Sequence, residues 1–338
     1  MILVVALLLA ASVRVPVDDP RVQVIGHVEK KGHAVALSWS ASELRVRFTG
    51  SSLALDLEGR PVDSEVDQLA VFVDGVRRDF AVPKGPSELL VASGLHTGVH
   101  EASIVKRTEP LVGVVVVRAV ILDHFAHLEP VKKRAHRIEL IGDSNVAGFG
   151  VLGNGPQCPF SGDTEDVTRS FAGVTAARLQ SDLVVVAWSG RGVYRDYDGN
   201  SDVPSVPALW KAAAPLDRHP DAVVVALGNN DFLDGIPDRG KFFAAYHDLL
   251  DGIRKAHPKA WIVLATPMPL TMDPMDPLAT VAPEWIRAIF TKRGDGRMSW
   301  VQLPPRDDGL GLGCVWHAGP KMHERLADVV TAELKKRL

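Results

Sequence analysis

Apolar and polar residues alternate along the first third of the chain, from about residue 21 to residue 125. The alternation is clear at 44–48, and it has the period of strands that bury one face; 53–57 and 69–73 are further short β-type runs. Asp74-Gly75, between two such runs, is a strong signal for a tight hairpin turn. No helical periodicity interrupts these runs. Residues 20–126 are therefore predicted to form an all-β sandwich or jelly-roll domain.

From residue 138 onward the pattern changes to short, uninterrupted apolar runs, at 138–141, 183–187, 222–227, 261–265 and 300–303. Between these runs, apolar residues recur at helical spacing, most clearly at 241–256 and 320–338. Buried strands that alternate with helices predict an α/β domain over 138–338, built on a doubly wound parallel sheet with helices on both faces. The polar, basic segment 127–137 is interpreted as a linker.

Length and charge are those of a soluble protein with two domains. The 338 residues are enough for two separate cores. The 38 basic and 41 acidic residues give a net charge of −3, and no basic block lies outside the linker. Nucleic acid is therefore not an expected partner.

The first residues resemble an export signal. Residues 2–11 form an apolar run that is too short to span a bilayer and ends in small residues. We interpret 1–19 as a signal segment, which predicts a secreted or periplasmic protein without a membrane segment in its mature form. A positive n-region is missing, and the alternative is a first buried strand.

Cys158 and Cys314 are the two cysteines of the chain, too few for a disulfide framework or a metal cluster. In an exported protein they can form one bridge, and both lie near candidate site segments. Two unpaired buried thiols are an equal alternative. We expect no metal and no organic cofactor.

Two candidate site segments follow predicted strands, where α/β folds collect their ligands. Ser144, in Gly-Asp-Ser-Asn at 142–145, directly follows a strand and can be a nucleophile if other groups activate it. The segment is also an ordinary turn when taken alone. The glycines of Ser-Gly-Arg-Gly at 189–192 let the backbone aim an N–H at a ligand, although a simple β-to-α turn explains them too.

Two further segments complete the candidate site. In Gly-Asn-Asn-Asp at 228–231, an asparagine amide can donate to a developing negative charge, or the segment is an Asx turn. Asp231 is expected to hold this loop in shape. His317, just before the last helix, is a natural base for a serine hydroxyl, although a lone histidine is usually structural.

The order Ser, Gly, Asn, His gives residues 138–338 a resemblance to the SGNH, or GDSL-type, hydrolase superfamily, whose domain is flavodoxin-like. The β domain in front makes the chain similar to family two carbohydrate esterases of the acetyl xylan esterase type. Further short sequence segments that resemble that family lie at 71–75, 158–161, 187–195 and 311–317. The resemblance implies a serine esterase that removes O-acetyl groups from xylan, glucomannan or their oligosaccharides. We expect the protein to be a monomer.

The resemblance also implies a role for each candidate residue. Ser144 is the nucleophile and His317 the base. The oxyanion hole consists of the backbone N–H of Ser144, the N–H of Gly192 rather than Gly190, and the side chain of Asn230. Trp316 stacks on the sugar or walls the site, with a packed core tryptophan as the alternative.

The sequence departs from the family pattern beside the histidine. Cys314 stands where the superfamily has an aspartate, and Val315 and Ala318 replace the aspartate and proline of the closer family. Either a Ser-His dyad operates, with a backbone carbonyl orienting the ring, or the chain is a weakened descendant that mainly binds sugar. Asp307 and Asp308 are candidates to replace the acid. We favour the dyad esterase. Other small acyl esters, lipids or peptidoglycan O-acetyl groups remain alternative substrates.

Overall fold

The computed structural model describes residues 12–271, 273 and 275–338. It divides the chain into two compact units, of which the first ends at Lys133 and the second spans Arg134–Leu338. Residues 1–11, which make up most of the predicted signal segment, lie outside the described residues. In the part of the chain that is described, no helix has the length and apolar character needed to cross a bilayer.

The first unit is a sandwich of two antiparallel sheets, as the alternating pattern predicted. Its strands are β1 (Val13–Pro16), β2 (Gln23–Ile25), β3 (Glu29–Lys31), β4 (Ala34–Leu37), β5 (Glu43–Thr49), β6 (Leu53–Pro61), β7 (Gln68–Val73), β8 (Val76–Ala81), β9 (Gly85–Ala92), β10 (Val99–Lys106), β11 (Gly113–Leu122) and β12 (Leu128–Glu129). The first sheet has the order β3-β4-β11-β6-β9, with β1 also on β11. The second has the order β12-β5-β10-β7-β8, with β2 on β5.

Inward-facing residues of both sheets form one apolar core, in which Val46 and Phe48 of β5 meet Leu55 and Leu57 of β6 within the same cluster. The hairpin predicted at Asp74-Gly75 joins β7 to β8. Both of its central residues have positive φ, 51° and 82°, as a type I′ turn requires.

The sheets extend beyond the limits expected for this domain. Strand β1 lies inside the stretch assigned to a signal segment, where it pairs with β11 from Val13↔Leu122 to Pro16↔Ala119. Strand β12 lies inside the predicted linker and pairs with β5. Two- to four-residue edge strands carry too few alternating positions to be seen in the sequence pattern.

The second unit is an α/β domain with five parallel strands, β13 (Arg137–Gly142), β14 (Asp182–Ala187), β15 (Ala222–Ala226), β16 (Trp261–Ala265) and β17 (Met298–Val301). Their order, β14-β13-β15-β16-β17, is that of a doubly wound, flavodoxin-like sheet. The flanking helices are α1 (Ser144–Ala147), α2 (Phe171–Leu179), α3 (Val206–Ala212), α4 (Asn229–Leu233), α5 (Arg239–Ala256), α6 (Pro277–Arg293) and α7 (Pro320–Leu334). The predicted fold class is confirmed, and α5 and α7 match the two predicted helices.

The strand register brings the loops of this sheet to one edge. Gly142 at the end of β13 pairs with Ala187 of β14 on one side and with Ala226 of β15 on the other. Ala226 pairs in turn with Ala265 of β16. The segments that follow β13, β14 and β15 therefore start side by side at the carboxyl edge, where ligands bind in such folds.

Candidate active site

Ser144 is the first residue of the short helix α1, which begins directly after β13. Asp143 caps this helix, because its Oδ1 accepts the N–H of Asn145 at 3.0 Å. Gly142 permits the sharp turn, since a Cβ there would lie 2.3 Å from Val146 Cγ2 and 2.9 Å from the Ala226 carbonyl oxygen. The turn leaves the Ser144 side chain at the carboxyl edge, only 6% exposed.

His317 reaches this serine from the loop before α7, across 173 positions of sequence. Its Nε2 lies 3.0 Å from Ser144 Oγ, and its Nδ1 lies 3.0 Å from the carbonyl oxygen of Val315. A carbonyl only accepts hydrogen bonds, so Nδ1 carries the proton. Nε2 is then the acceptor for the serine hydroxyl, which is the tautomer that a general base needs.

The acceptor for Nδ1 is presented by a turn in an unfavourable backbone conformation. Val315 and Trp316 both have left-handed φ, 50° and 59°, although neither is glycine and valine is β-branched. Such residues cost about 1–3 kcal/mol each and persist only where the surroundings hold them. The turn is held by two backbone bonds, from Gly313 N to the His317 oxygen at 2.9 Å and from His317 N to the Cys314 oxygen at 3.1 Å.

A disulfide between Cys158 and Cys314 fastens this turn to the segment after α1. The bridge decides between the two alternatives that the sequence left open. Cys314 N also donates to the Gly150 oxygen at 2.9 Å. Gly153 lies so close that a Cβ there would be 2.4 Å from Cys314 Sγ. The histidine loop and the nucleophile segment are therefore packed backbone to backbone.

Two phenylalanines that sequence reasoning did not select support the imidazole. The Phe149 ring lies 4.7 Å from the His317 ring, centroid to centroid, and stacks on Phe160 at 3.9 Å. Phe149 is five residues after Ser144 and belongs to the same turn of chain. That proximity to the nucleophile was the available signal, but a single aromatic residue in a loop has no pattern that distinguishes it.

The carboxylates considered as replacements for the missing acid do not contact the ring. Asp307 accepts the N–H of Gly309 at 3.0 Å and pairs with Arg325 at 3.4 Å. Asp308 pairs with Arg306 at 2.7 Å. Neither candidate carboxylate orients the imidazole in this structure, because the Val315 carbonyl occupies that position.

Burial lowers the pKa of His317 below the ordinary value of a histidine, because the protonated ring would lose its hydration. The positive charge of Arg306 lowers this pKa further, and the hydrogen bond to the Val315 carbonyl partly opposes both effects. The ring therefore stays neutral, and able to accept a proton, to lower pH than a free histidine.

Gly192 lies in the loop after β14, against the carboxylate of Asp231. A Cβ at Gly192 would be 2.3 Å from Asp231 Oδ2 and 2.5 Å from the Arg195 oxygen, so no larger residue fits without a shift of the loop. Asp231 accepts the N–H groups of Val193 at 2.8 Å and Tyr194 at 3.1 Å. Asp231 therefore holds the loop of Gly192 in shape, and not its own loop at 228–231 as the sequence analysis expected.

Asn230 joins the same neighbourhood from the loop after β15. Its Nδ2 donates to the Arg191 oxygen at 2.9 Å, which uses one of its two amide hydrogens. Asn229 fixes this loop from the other side, where its side chain exchanges two hydrogen bonds with the Met268 backbone at 2.7 and 3.1 Å. Asn230 therefore lies beside the residue that precedes Gly192, with a second amide hydrogen to donate.

Two buried carboxyl groups lie beneath these loops. Burial raises the pKa of Asp143 to about 6, and the negative charge of Asp231 adds to this rise. Burial likewise raises the pKa of Asp231 to about 6, against the three backbone N–H groups that favour its charged form. Asp143, which caps α1, and Asp231, in the first turn of α4, thus share an environment that disfavours two negative charges.

Trp316 is 53% exposed, so it is not a core residue. Its carbonyl accepts a bond from Arg306 Nη1 at 2.9 Å, and the residue precedes His317 directly in the chain. Tyr197, at 52%, is a second exposed aromatic residue, and its ring lies over Gly190 in the loop of Gly192. Sugar contact by Trp316 stays a prediction.

The arrangement as a whole suits acyl transfer through a serine. The hydroxyl of Ser144 has a base at hydrogen-bond distance, and that base has a fixed tautomer. Gly192 and Asn230 lie in the two loops that flank the serine strand, where an oxyanion hole requires donors.

Comparison with known proteins finds a match for each unit. Residues 140–294 match the GDSL-like Lipase/Acylhydrolase family, and residues 24–131 match the Carbohydrate esterase 2 N-terminal family. The chain is 27% identical over 310 residues to "Cellulase/esterase CelE" of Acetivibrio thermocellus, which covers 89% of this chain but only 37% of CelE. It is 24% identical over 307 residues to an "Acetylxylan esterase / glucomannan deacetylase" of Cellvibrio japonicus, covering 85% of this chain and 82% of that protein.

Solved structures share the fold over nearly the whole chain. A family two carbohydrate esterase from Clostridium thermocellum, in complex with cellohexaose, matches with a TM-score of 0.84 at 26% identity, covering 93% of this chain and 98% of that one. A family two carbohydrate esterase from Cellvibrio japonicus matches with a TM-score of 0.86 at 20% identity, over 96% of this chain and 97% of that one. Because its sequence identity is only 20%, the second match supports a shared fold and no shared function.

Proposed function

We propose that the protein is a serine esterase that removes O-acetyl groups from polysaccharides such as xylan and glucomannan, or from their oligosaccharides. The chain joins a GDSL-like acylhydrolase domain to a carbohydrate esterase 2 N-terminal domain, and its homologues are family two carbohydrate esterases. The observation that carries this proposal is the contact of Ser144 Oγ with His317 Nε2 at 3.0 Å, with Nδ1 engaged by a carbonyl. A sugar-binding descendant without turnover would not need this tautomer.

In the proposed mechanism His317 takes the proton of Ser144 as the hydroxyl attacks the acetyl carbonyl. The histidine returns that proton to the leaving sugar hydroxyl, which leaves an acetyl-serine. A water molecule then attacks this ester, again deprotonated by His317, and acetate and the free serine are released. The Val315 carbonyl is an oriented dipole that stabilises the imidazolium during both acylation and deacylation, in place of the usual carboxylate.

The proposed oxyanion donors are the N–H of Ser144, the N–H of Gly192 and the side chain of Asn230. Removing one such donor typically costs about 3 kcal/mol of transition-state stabilisation. The position of Gly192 against Asp231 supports this assignment, because it orients the loop backbone independently of substrate. Trp316 is proposed as a wall or stacking surface for the sugar, which its exposure beside the dyad supports.

Acetate release from acetylated xylan and acetylated glucomannan tests the proposal. The wild type should release acetate, Ser144→Ala should release none, and Ser161→Ala, at a partly buried serine outside the dyad, should stay close to wild type. Comparison of nitrophenyl acetate with nitrophenyl butyrate measures the preference for acetyl. Sugar binding by a wild-type protein that hydrolyses no ester would refute the enzyme and favour the binding descendant.

The proposed place of action is outside the cytoplasm, in the medium or the periplasm. The disulfide beside the catalytic turn supports this, because such bridges form and persist in oxidising compartments. The monomeric state expected from the sequence stays a prediction.

A further inference from the structure

The turn that presents the Val315 carbonyl to His317 is strained at both of its middle residues. Val315 lies at φ 50° and ψ 46°, and Trp316 lies at φ 59°. The ψ of Val315 and the φ of Trp316 set the direction of the Val315 carbonyl, so relaxation of either residue would turn that carbonyl away from the ring. The disulfide and the backbone bonds of Gly313, Cys314 and His317 fix the two ends of the turn, whereas the strained pair lies between them.

Arg306 makes a contact inside this turn. Its Nη1 donates to the carbonyl oxygen of Trp316 at 2.9 Å. The backbone N–H of Arg306 donates to the Pro269 oxygen at 2.8 Å, in the loop after β16, and the arginine side chain is only 10% exposed. The guanidinium therefore reaches the strained pair from a segment that is anchored to a different loop of the α/β unit. A hydrogen bond from a charged donor is stronger than one between neutral groups.

Asp308 sets the orientation of this guanidinium. Its Oδ1 accepts from Arg306 Nε at 2.7 Å, and its Oδ2 lies 3.5 Å from Nη2. The carboxylate thus engages one edge of the planar group and leaves Nη1 for the Trp316 carbonyl. Because the five N–H donors of an arginine have a fixed geometry, fixing one edge also directs the other.

We propose that Arg306 is a positioning residue for the esterase reaction, which holds the Trp316 carbonyl so that the Val315 carbonyl stays on His317 Nδ1. Arg306 acts through the turn and not on the ester. This inference rests on the proposed function, since it assigns a role in that reaction. With valine at 315, where the closer family has an aspartate, the tautomer of the base depends on the backbone of this turn.

Steady-state hydrolysis of nitrophenyl acetate by Arg306→Gln tests the proposal. The kcat should fall at least about tenfold, the size expected for the loss of one hydrogen bond to a charged group. The KM should stay at the wild-type value, because the contact at Nδ1 matters only once His317 takes the proton of Ser144. A loss confined to kcat is not expected from general damage to the substrate site.

A second substitution tests whether Arg306 acts by supporting the strained turn. Adding Val315→Asn to Arg306→Gln should restore most of the lost kcat, because asparagine tolerates the left-handed region and needs less support there. Adding Val315→Ala instead should restore less, since alanine removes the branch but has no side-chain hydrogen bond to offer.

Arg254→Gln is the matched control. The Arg254 side chain is 21% exposed, and its Nε donates to Asp295 at 2.9 Å while its Nη1 donates to the Ala260 oxygen at 2.8 Å. These contacts repeat those of Arg306, but Ala260 directly precedes β16, at the opposite edge of the sheet from Ser144. Arg254→Gln should keep the wild-type kcat, even if it lowers Tm as much as Arg306→Gln does.

Three results would each overturn the proposal: an unchanged kcat in Arg306→Gln, an equal loss in Arg254→Gln, or no recovery when Val315→Asn is added. A wild-type protein that hydrolyses no ester would instead count against the proposed function. Wild-type hydrolysis together with an unaffected Arg306→Gln would remove only the role of Arg306 and leave the esterase in place.

Discussion

Replacing Val315 with aspartate restores the residue that the family has beside its histidine, and we expect little change in rate. In a serine triad, losing the group that holds the Nδ1 proton costs about 10⁴ in kcat, because the ring adopts the wrong tautomer. Here that proton already has an acceptor, the Val315 carbonyl at 3.0 Å, which the substitution leaves in place. The Val315 side chain is 46% exposed, so a carboxylate there would act on His317 mainly through solvent. An exposed charge pair of this kind is worth about 0.2–1 kcal/mol, at most about fivefold in rate.

Substitutions at residue 315 should change the stability of the protein more clearly than its catalytic rate. A left-handed φ of 50° is strained for valine, whereas asparagine and aspartate tolerate this region. Val315→Asn should therefore stabilise the protein by about 1 kcal/mol, seen as a rise of about 2 °C in Tm. Val315→Ala is the matched control, because it removes the branch but offers no side-chain hydrogen bond, and it should give a smaller rise.

Steady-state hydrolysis of nitrophenyl acetate and thermal unfolding of the three variants test this reasoning together. A rise in kcat of tenfold or more in Val315→Asp would mean that the carbonyl holds the ring poorly, and the dyad mechanism would then be wrong. A lower Tm for Val315→Asn would contradict the account of backbone strain.

Three further predictions concern the same site. Gly192→Ala should lower kcat by at least about 10²-fold, because its Cβ would displace the Asp231 carboxylate and move the loop N–H. Gly235→Ala is the control, at a positive-φ glycine with open space around it, and should leave kcat unchanged. Equal losses of kcat in both variants would refute the role of Gly192 in the oxyanion hole. Reduction of the disulfide with a phosphine should lower kcat while far-ultraviolet circular dichroism stays unchanged, because the bridge restrains the turn before His317; full activity after verified reduction would contradict this. The acid limb of kcat/KM should lie below pH 6.5, because the neutral His317 ring is the base and burial lowers its pKa. Activity then falls only as pH falls through that lowered value. An acid limb above pH 7 would exclude His317 as a buried base.

The sequence alone determined the two kinds of fold and the chemistry available to the site. The strands of the α/β unit match the apolar runs to within about two residues, because strands buried on both faces contain little else. Alternation likewise identified the sandwich, although the short strands β1 and β12 went unseen. The same pattern of apolar runs and helical segments placed four candidate residues on loops that follow strands or precede a helix. They are Ser144, Gly192, Asn230 and His317.

Tertiary structure decided how those groups meet. The sequence selected His317 as the base, and the fold brings its ring to Ser144, whereas His323, six residues later, is buried where its Nδ1 accepts the N–H of Phe171 at 3.1 Å. It also selected the Val315 carbonyl over Asp307 and Asp308, and paired the two cysteines. A carbonyl occurs at every residue and has no sequence signature, and a 3.0 Å contact across 173 positions depends on strand register and loop packing. Side-chain chemistry is local to each residue, whereas the distances that activate it are set by the whole fold.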